Sequence, residues 1–234
     1  MKAVPDVELP EAAEVAQLRQ LAQMQPDGYQ QKLAATLIGL SRRLADDERY
    51  DEAMVAADEA VDIYDELAER VRGSYRDGLG LATFNLGLRL RDLGQVEDAH
   101  TLYREAIELR RLAHRNDPYA KAQFVGPTLT QYARQLYRDE RYEESLTAAR
   151  EAMGLFRFVR EETPDAFTGP LATALNRVAL ALLKLDRADE AVDAARRAVN
   201  LGRRLGSDSS SLRTAERTLA SAVEQAGRTD DACV

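Results

Sequence analysis

The sequence has very little cysteine, glycine and proline. Its 234 residues include one cysteine, 13 glycines and seven prolines. The lone Cys233 cannot form an intramolecular disulfide, which excludes a disulfide-stabilised scaffold. It stands second from the end and fits no prenylation signal, so we expect a reduced terminal thiol. Scarce glycine and proline, with abundant alanine, leucine, glutamate and arginine, favour helix throughout the chain.

The sequence also lacks the features of membrane, secreted and nucleic-acid-binding proteins. It has no run of 18 apolar residues, so no membrane span is predicted, and its first residues lack the apolar segment of a secretory signal. The net charge of −8 argues against a nucleic-acid partner, because such proteins need an excess of cations facing the phosphates. We expect a cytoplasmic protein, and 28 arginines against four lysines suggest a GC-rich bacterial genome.

No catalytic, cofactor-binding or metal motif is present. The two histidines, His100 and His114, are 14 residues apart. That separation is about 21 Å along one helix, too far for a shared metal ion. Glycine-rich phosphate-binding motifs and the hydrolase nucleophile motif are absent. We predict that the protein is not an enzyme and has no catalytic residue, cofactor or metal.

The sequence does contain a repeat of 46 residues. The stretch "RYDEAMVAADEAVDIY" at Arg49 recurs as "QVEDAHTLYREAIELR" at Gln95, "RYEESLTAAREAMGLF" at Arg141 and "RADEAVDAARRAVNLG" at Arg187. Each copy begins 46 residues after the previous one. A partial fifth copy, "RTDDACV", begins at Arg228. A repeat of this length predicts a solenoid built from similar structural units.

Each repeat holds two helical segments. The upstream segment has apolar residues at helical spacing, as in Leu37, Leu40 and Leu44. The downstream segment begins with paired acids such as Asp51 and Glu52, which suit the positive end of a helix dipole. The "DERY" at 47–50 and at 139–142 is therefore predicted to be a corner whose tyrosine packs, rather than a catalytic cluster. A small residue lies beside the middle of each upstream apolar stripe, where helices could cross closely: Ser41, Gly87, Ala133 and Ala179.

The pattern resembles the tetratricopeptide repeat (TPR). The second unit fits that signature best, with Leu86-Gly87, Leu90, Ala99-x-x-x-Tyr103 and Ala106. Two departures are the missing helix-ending proline and a period of 46 residues instead of about 34. The longer unit is similar to kinesin-light-chain repeats and to arrays in actinobacterial signalling proteins. The resemblance implies an all-α, right-handed α-solenoid of antiparallel helix hairpins, with ten helices.

We predict one solenoid domain over residues 1–234. Its ends consist of incomplete units, which could be caps, cut ends of a longer array, or surfaces through which two chains stack. The predicted units are an incomplete one at 1–24, repeats at 25–70, 71–116, 117–162 and 163–208, and a partial capping unit at 209–234.

The TPR resemblance also implies a peptide- or protein-binding adaptor. Arrays of this family present a concave groove lined by the first helix of each unit, and kinesin light chains use asparagines there to hold peptide backbone. The residues expected to face this groove include several cations, although the chain is acidic, so we predict an extended acidic peptide as partner. Alternatively, these cations pair with acids on neighbouring helices, or the module is structural and self-assembling. The predicted groove residues are Arg42, Phe84, Asn85, Leu88, Arg134, Tyr137, Arg138, Asn176 and Lys184.

Overall fold

The computed structural model describes residues 9–71, 74–163, 166–206 and 210–232, and in these ranges it has ten helices and no strand. Among the helices of residues 10–113, and among those of residues 118–232, consecutive helices pack against each other, which confirms the predicted all-α fold of helix hairpins. Cys233 lies outside the described residues. The helices are α1 (Pro10–Met24), α2 (Pro26–Asp46), α3 (Tyr50–Arg70), α4 (Arg76–Asp92), α5 (Val96–Ala113), α6 (Pro118–Ala120, a π-helical turn at Lys121–Val125, and Gly126–Arg138), α7 (Tyr142–Glu162), α8 (Thr168–Lys184), α9 (Ala188–Arg204) and α10 (Ser210–Ala232).

The helices group into two compact units, here called unit 1 (Met1–His114) and unit 2 (Arg115–Val234). Unit 1 contains α1 to α5, and unit 2 contains α6 to α10. The division falls after residue 114, close to the boundary predicted after residue 116 between the second and third repeats. The hairpins α2–α3 and α4–α5 in unit 1, and α6–α7 and α8–α9 in unit 2, correspond to the four predicted repeats.

The same backbone turn closes all four hairpins. In each hairpin, the second residue after the end of the first helix has a positive φ. The values are 61° at Glu48, 81° at Gly94, 60° at Glu140 and 56° at Asp186. The backbone N–H of the following residue then donates to the carbonyl five positions earlier, for example from Arg49 to Leu44 at 2.8 Å. This arrangement is a Schellman motif, which ends a helix by reversing the chain at a left-handed residue. The prediction that "DERY" is a corner is therefore confirmed. The equivalent bonds run from Gln95 to Leu90, Arg141 to Leu136 and Arg187 to Leu182.

At three of these corners, an arginine forms an ion pair with a glutamate three residues later. At the first corner, Arg49 donates through Nε and Nη2 to the two carboxylate oxygens of Glu52, both at 2.7 Å. These hydrogen bonds lower the pKa of the Glu52 carboxyl. Both side chains are exposed, so this ion pair contributes little stability. It does explain why an acid recurs three residues after the arginine. The same pairs form between Arg141 and Glu144 and between Arg187 and Glu190.

The two corner tyrosines differ in how much they pack. Tyr142 is half-buried, and its ring lies edge-on to Tyr137 with 5.4 Å between centroids. Lys184 Nζ lies 6.0 Å from the Tyr142 ring centroid. Tyr50, in contrast, is exposed at 36%. The predicted packing role is thus found for Tyr142, whereas Tyr50 keeps much of its surface in solvent.

Small residues lie at two helix crossings as predicted. A Cβ added to Gly87 on α4 would stand 2.8 Å from Tyr103 Cε1 and 3.2 Å from the Ala99 carbonyl oxygen, both on α5. Ala133 on α6 is fully buried, and its carbonyl accepts a 2.7 Å hydrogen bond from Ser145 Oγ on α7. The helices of each hairpin can approach this closely only because the side chain at the crossing is small.

The terminal helices extend the packed array, but the partial fifth copy at Arg228 does not begin a new helix. Helix α1 packs on α2, and α10 packs on α9 and α8, as expected for the incomplete units. However, α10 runs unbroken from Ser210 to Ala232, through the predicted start at Arg228. Gly227 is the only glycine nearby, and an isolated glycine costs a helix about 1 kcal/mol without ending it.

The left-handed corner residues lead to a stability prediction. Glu140→Gly is expected to raise the free energy of unfolding by about 1 kcal/mol, because glycine adopts a positive φ without a Cβ clash. The matched control, Glu143→Gly in the first turn of α7, should lower it by about 0.5–1 kcal/mol. Urea unfolding monitored by circular dichroism measures both. A lower midpoint for Glu140→Gly would show that the side chain contributes more than its backbone strain costs.

Candidate functional site

The predicted groove residues of unit 1 lie on the first helices α2 and α4. Arg42 on α2 is exposed, and Leu88 on α4 is half-buried. Phe84 and Asn85 on α4 are buried, each 7% exposed. The Phe84 ring packs on Tyr103 of α5, with 4.7 Å between centroids. Most of the Phe84 surface is therefore used inside its own hairpin, and Arg42 and Leu88 are the more accessible members of this set.

Asn85 and Arg89 connect α4 to α2. Asn85 Nδ2 donates to Ser41 Oγ at 3.0 Å, and Arg89 Nη1 donates to the Ser41 carbonyl at 3.0 Å. Arg89 Nη2 also lies 3.3 Å from the Asp92 carboxylate. Burial lowers the pKa of Arg89, while the carboxylates of Asp92 and Asp46 oppose that shift. Because the amide nitrogen of Asn85 is committed to Ser41, its amide oxygen is the group left to accept a peptide N–H.

The predicted residues of unit 2 lie on α6 and α8. Arg134 and Tyr137 are half-buried, whereas Arg138 and Lys184 are exposed. Arg138 Nη1 is 3.5 Å from Gln135 Oε1. Lys184 lies over the Tyr142 ring that also contacts Tyr137. This cation–π contact holds Lys184 beside the start of α7 while leaving its ammonium group in solvent.

Arg177 is a candidate site residue that the sequence reasoning missed. It is half-buried on α8, and burial lowers its pKa, which the positive charge of Arg134 lowers further. It occupies the position of Asn85 in the 46-residue register, two repeats later; that register is the signal that could have identified it. Arg177 lines a cleft of about 400 Å³ together with Pro127, Thr130 and Gln131 of α6, Phe156 of α7, and Pro170 and Thr173 of α8.

Three buried polar atoms on α6 and α8 have no hydrogen-bond partner within the described part of the chain. They are Nε of Arg134, Nε2 of Gln135 and Oδ1 of Asn176, which is 6% exposed. Across the described ranges, Arg134, Arg138 and Arg177 also have no carboxylate within ion-pair distance. The predicted residues Arg134 and Asn176 therefore keep hydrogen-bonding capacity that the described residues do not use.

A separate charged cluster joins the start of α4 to the end of α5. Asp77 on α4 accepts hydrogen bonds from Arg110 Nε at 2.9 Å and Nη2 at 3.2 Å. His114 Nε2 lies 2.9 Å from the same carboxylate. Arg110 is 8% exposed. The buried guanidinium is neutralised by a bidentate carboxylate, which is an arrangement that stabilises a hairpin rather than one that performs chemistry.

The described residues offer neither a cluster of metal ligands nor a membrane-spanning helix. No group of three or more histidine, cysteine, aspartate and glutamate side chains in the described ranges could hold a metal ion. No helix within those ranges combines the length and apolar character needed to cross a bilayer.

Comparisons with known proteins agree with this architecture. The family model described as tetratricopeptide repeat matches residues 33–70, 85–119 and 171–208. The crystal structure of BtubC (BKLC) from P. vanneervenii is similar, with a TM-score of 0.76 and 18% identity over 96% of this chain and 85% of that one. A crystal structure of Podosopora anserina putative kinesin light chain nearly identical TPR-like repeats has a TM-score of 0.66 and 17% identity, over 87% of this chain and 90% of that one. No curated protein sequence matches the chain.

Proposed function

Because the chain is a tetratricopeptide-repeat protein, we propose that it is a non-enzymatic adaptor that binds a protein partner through an extended acidic peptide. Repeats of this family generally mediate protein–protein interaction. The observation that carries the acidic specificity is the pair Arg134 and Arg138 on α6. These cations have no carboxylate partner in the described ranges, although the chain carries a net charge of −8. Such a local potential, opposite in sign to the net charge, attracts an anionic partner.

The first-helix faces offer the groups that an extended peptide needs. Guanidinium groups can fork onto side-chain carboxylates with two parallel hydrogen bonds. The amide oxygens of Asn85 and Asn176 are suited to accept backbone N–H groups of the peptide. Apolar surface on α6 and α8, from Pro127 and Pro170, suits an apolar anchor. Each unit would bind its own stretch of the ligand through its first helices.

The proposal is tested with an acidic peptide selected from a random displayed library on the full chain. Arg134→Ala/Arg138→Ala is expected to weaken binding by more than about tenfold, since two charge-assisted contacts are removed. Raising the salt concentration should weaken binding to the unaltered chain. Isothermal titration calorimetry measures the affinities, and thermal unfolding confirms that the variant folds.

The matched control removes the same charge from the second helices. Arg157 on α7 and Arg197 on α9 are both exposed, so Arg157→Ala/Arg197→Ala should leave the affinity unchanged. Equal losses in both double variants would mean that only net charge matters. Full-strength binding to Arg134→Ala/Arg138→Ala would mean that the peptide docks elsewhere.

Self-association through the terminal units is a second candidate function. It is favoured by Val223 on α10, which is 50% exposed and lines an open cleft of about 380 Å³ with Val192 of α9. An apolar side chain at such a place suits a contact with a second copy. Sedimentation equilibrium over a wide concentration range tests it. A mass that grows with concentration and returns to the monomer in Val223→Asp favours association, whereas a constant monomer mass contradicts it.

A further inference from the structure

Two arginines of unit 2, Arg134 and Arg177, lie close enough for their positive charges to interact. Arg134 follows Thr130 and Gln131 by about one turn on α6, and Arg177 lines the cleft from the neighbouring helix α8. Both side chains are half-buried. Like charges repel more strongly where water is partly excluded, and the positive Arg134 indeed lowers the pKa of Arg177 beyond the effect of burial.

The two fully buried arginines of the described residues are accompanied by carboxylates. Arg89 has Asp92 at 3.3 Å, and Arg110 has Asp77 at 2.9 Å. Arg134 and Arg177 have no such partner in the ranges that the structure describes. Since uncompensated charge out of water is costly, the cleft has the electrostatics of a site whose negative charge is brought by a ligand.

On the basis of the peptide-binding function proposed above, we infer that Arg134 and Arg177 bind the phosphate monoester of a phosphorylated side chain in the partner peptide. A carboxylate carries one negative charge and balances only one of the two guanidinium groups. A phosphate monoester carries about −1.5 to −2 at pH 7 and presents three strong acceptor oxygens. The dianion therefore matches the cleft in both charge and number of acceptors.

The available donors also favour this assignment. Nε of Arg134 is buried and has no acceptor among the described residues. The hydroxyls of Thr130 and Thr173 donate to the carbonyls of Gly126 and Gly169 one turn earlier, at 2.9 and 3.1 Å. Their protons are thus used within their own helices, and the donors for an anion come from the guanidinium groups, which suit the fork geometry of phosphate.

A peptide accounts for more of the groups around Arg177 than a free phosphate ion does. Asn176, next to Arg177 on α8, has a buried Oδ1 without a donor in the described part of the chain, and a backbone N–H of a peptide would supply one. Pro127, Phe156 and Pro170 add apolar lining to the cleft, which suits a neighbouring apolar side chain. Inorganic phosphate would leave both the amide oxygen and the apolar lining unused.

The test uses a peptide library with one fixed phosphoserine and random flanking positions, selected on the full chain. The best binder is resynthesised with glutamate or serine in place of phosphoserine. The phosphorylated form is expected to bind more than about tenfold more tightly than the glutamate form. Arg134→Ala and Arg177→Ala should each abolish that preference, while Arg157→Ala preserves it. Arg177→Lys keeps the positive charge but loses the bidentate hydrogen-bonding geometry, so it should retain part of the preference. This variant replaces Arg177→Ala if the alanine variant fails to fold.

The outcomes separate this inference from the proposed function. Equal binding of the phosphoserine and glutamate forms overturns the phosphate site but leaves acidic-peptide binding intact. If inorganic phosphate at the peptide's concentration displaces the phosphopeptide, the site takes free phosphate, and the peptide assignment is wrong. If the library yields no binder that depends on Arg134 and Arg177, the inference fails. If acidic and phosphorylated libraries both fail, the proposed function fails with it.

Discussion

Gly87→Leu is expected to lower the free energy of unfolding of unit 1 by about 3 kcal/mol or more. Gly87 faces the Tyr103 ring, which is fully buried, and even a Cβ would stand 2.8 Å from Tyr103 Cε1. The Ala99 carbonyl, 3.2 Å from the same position, belongs to backbone and cannot rotate away. The leucine must therefore push α4 from α5, and overpacking of this kind typically costs 1–3 kcal/mol, occasionally more.

Gly39→Leu provides the matched control for this prediction. Gly39 lies on α2 in the same unit, and a Cβ there would meet nothing within 4 Å. The same substitution should therefore not lower stability, and the higher helix propensity of leucine should raise it by up to about 1 kcal/mol. Urea unfolding of both variants gives the comparison. An unchanged midpoint for Gly87→Leu would mean that the α4–α5 crossing is not where the 46-residue register puts it.

Asp77→Ala is expected to destabilise unit 1 by about 3 kcal/mol, because it removes the carboxylate that compensates a buried guanidinium. Arg110 is 8% exposed and gives two hydrogen bonds to Asp77. His114 loses its contact with the same carboxylate. An exposed acid in the same unit, replaced in Asp62→Ala, should change stability by less than about 0.5 kcal/mol.

Arg110→Met combined with Asp77→Ala shows whether charge is the cause. Removing the guanidinium together with the carboxylate should recover most of the lost stability, since an apolar side chain of similar length needs no counter-charge. Thermal unfolding of the two single variants and the double variant completes the cycle. Additive losses would contradict the account, because they would mean that the two residues stabilise the hairpin independently.

The hairpins could be predicted because their signals are local and repeated. Leucines at helical spacing, small residues such as Gly87 and paired acids at helix starts all recur every 46 residues. The positions of the corners could be predicted from the sequence, but their left-handed backbone conformation could not. Only Gly94 is a glycine among the left-handed residues of the four hairpin corners. Glu48, Glu140 and Asp186 adopt the same positive φ because the Schellman hydrogen bonds of the hairpin hold them there.

The candidate site was harder to predict, because neighbouring positions on a helix differ by about 100°. Asn176 and Arg177 are adjacent in sequence, and the packing of α6 against α8 decides which of them lines the cleft. The burial of Phe84 against Tyr103 likewise depends on the partner helix. The π-helical turn before Pro127 was also missed. It arises where proline removes a backbone N–H inside a continuous helix.

The central claim is that a peptide partner docks on the first helices. Site-specific photo-cross-linking with the selected acidic peptide tests this most directly. The cross-linking residue is placed at Gln131 on α6, which is exposed and lines the cleft, or at Arg150 on α7, which is exposed on a second helix. The account predicts an efficient cross-link from Gln131 that excess unlabelled peptide suppresses, and none above background from Arg150. Cross-linking from Arg150 with none from Gln131 would contradict it.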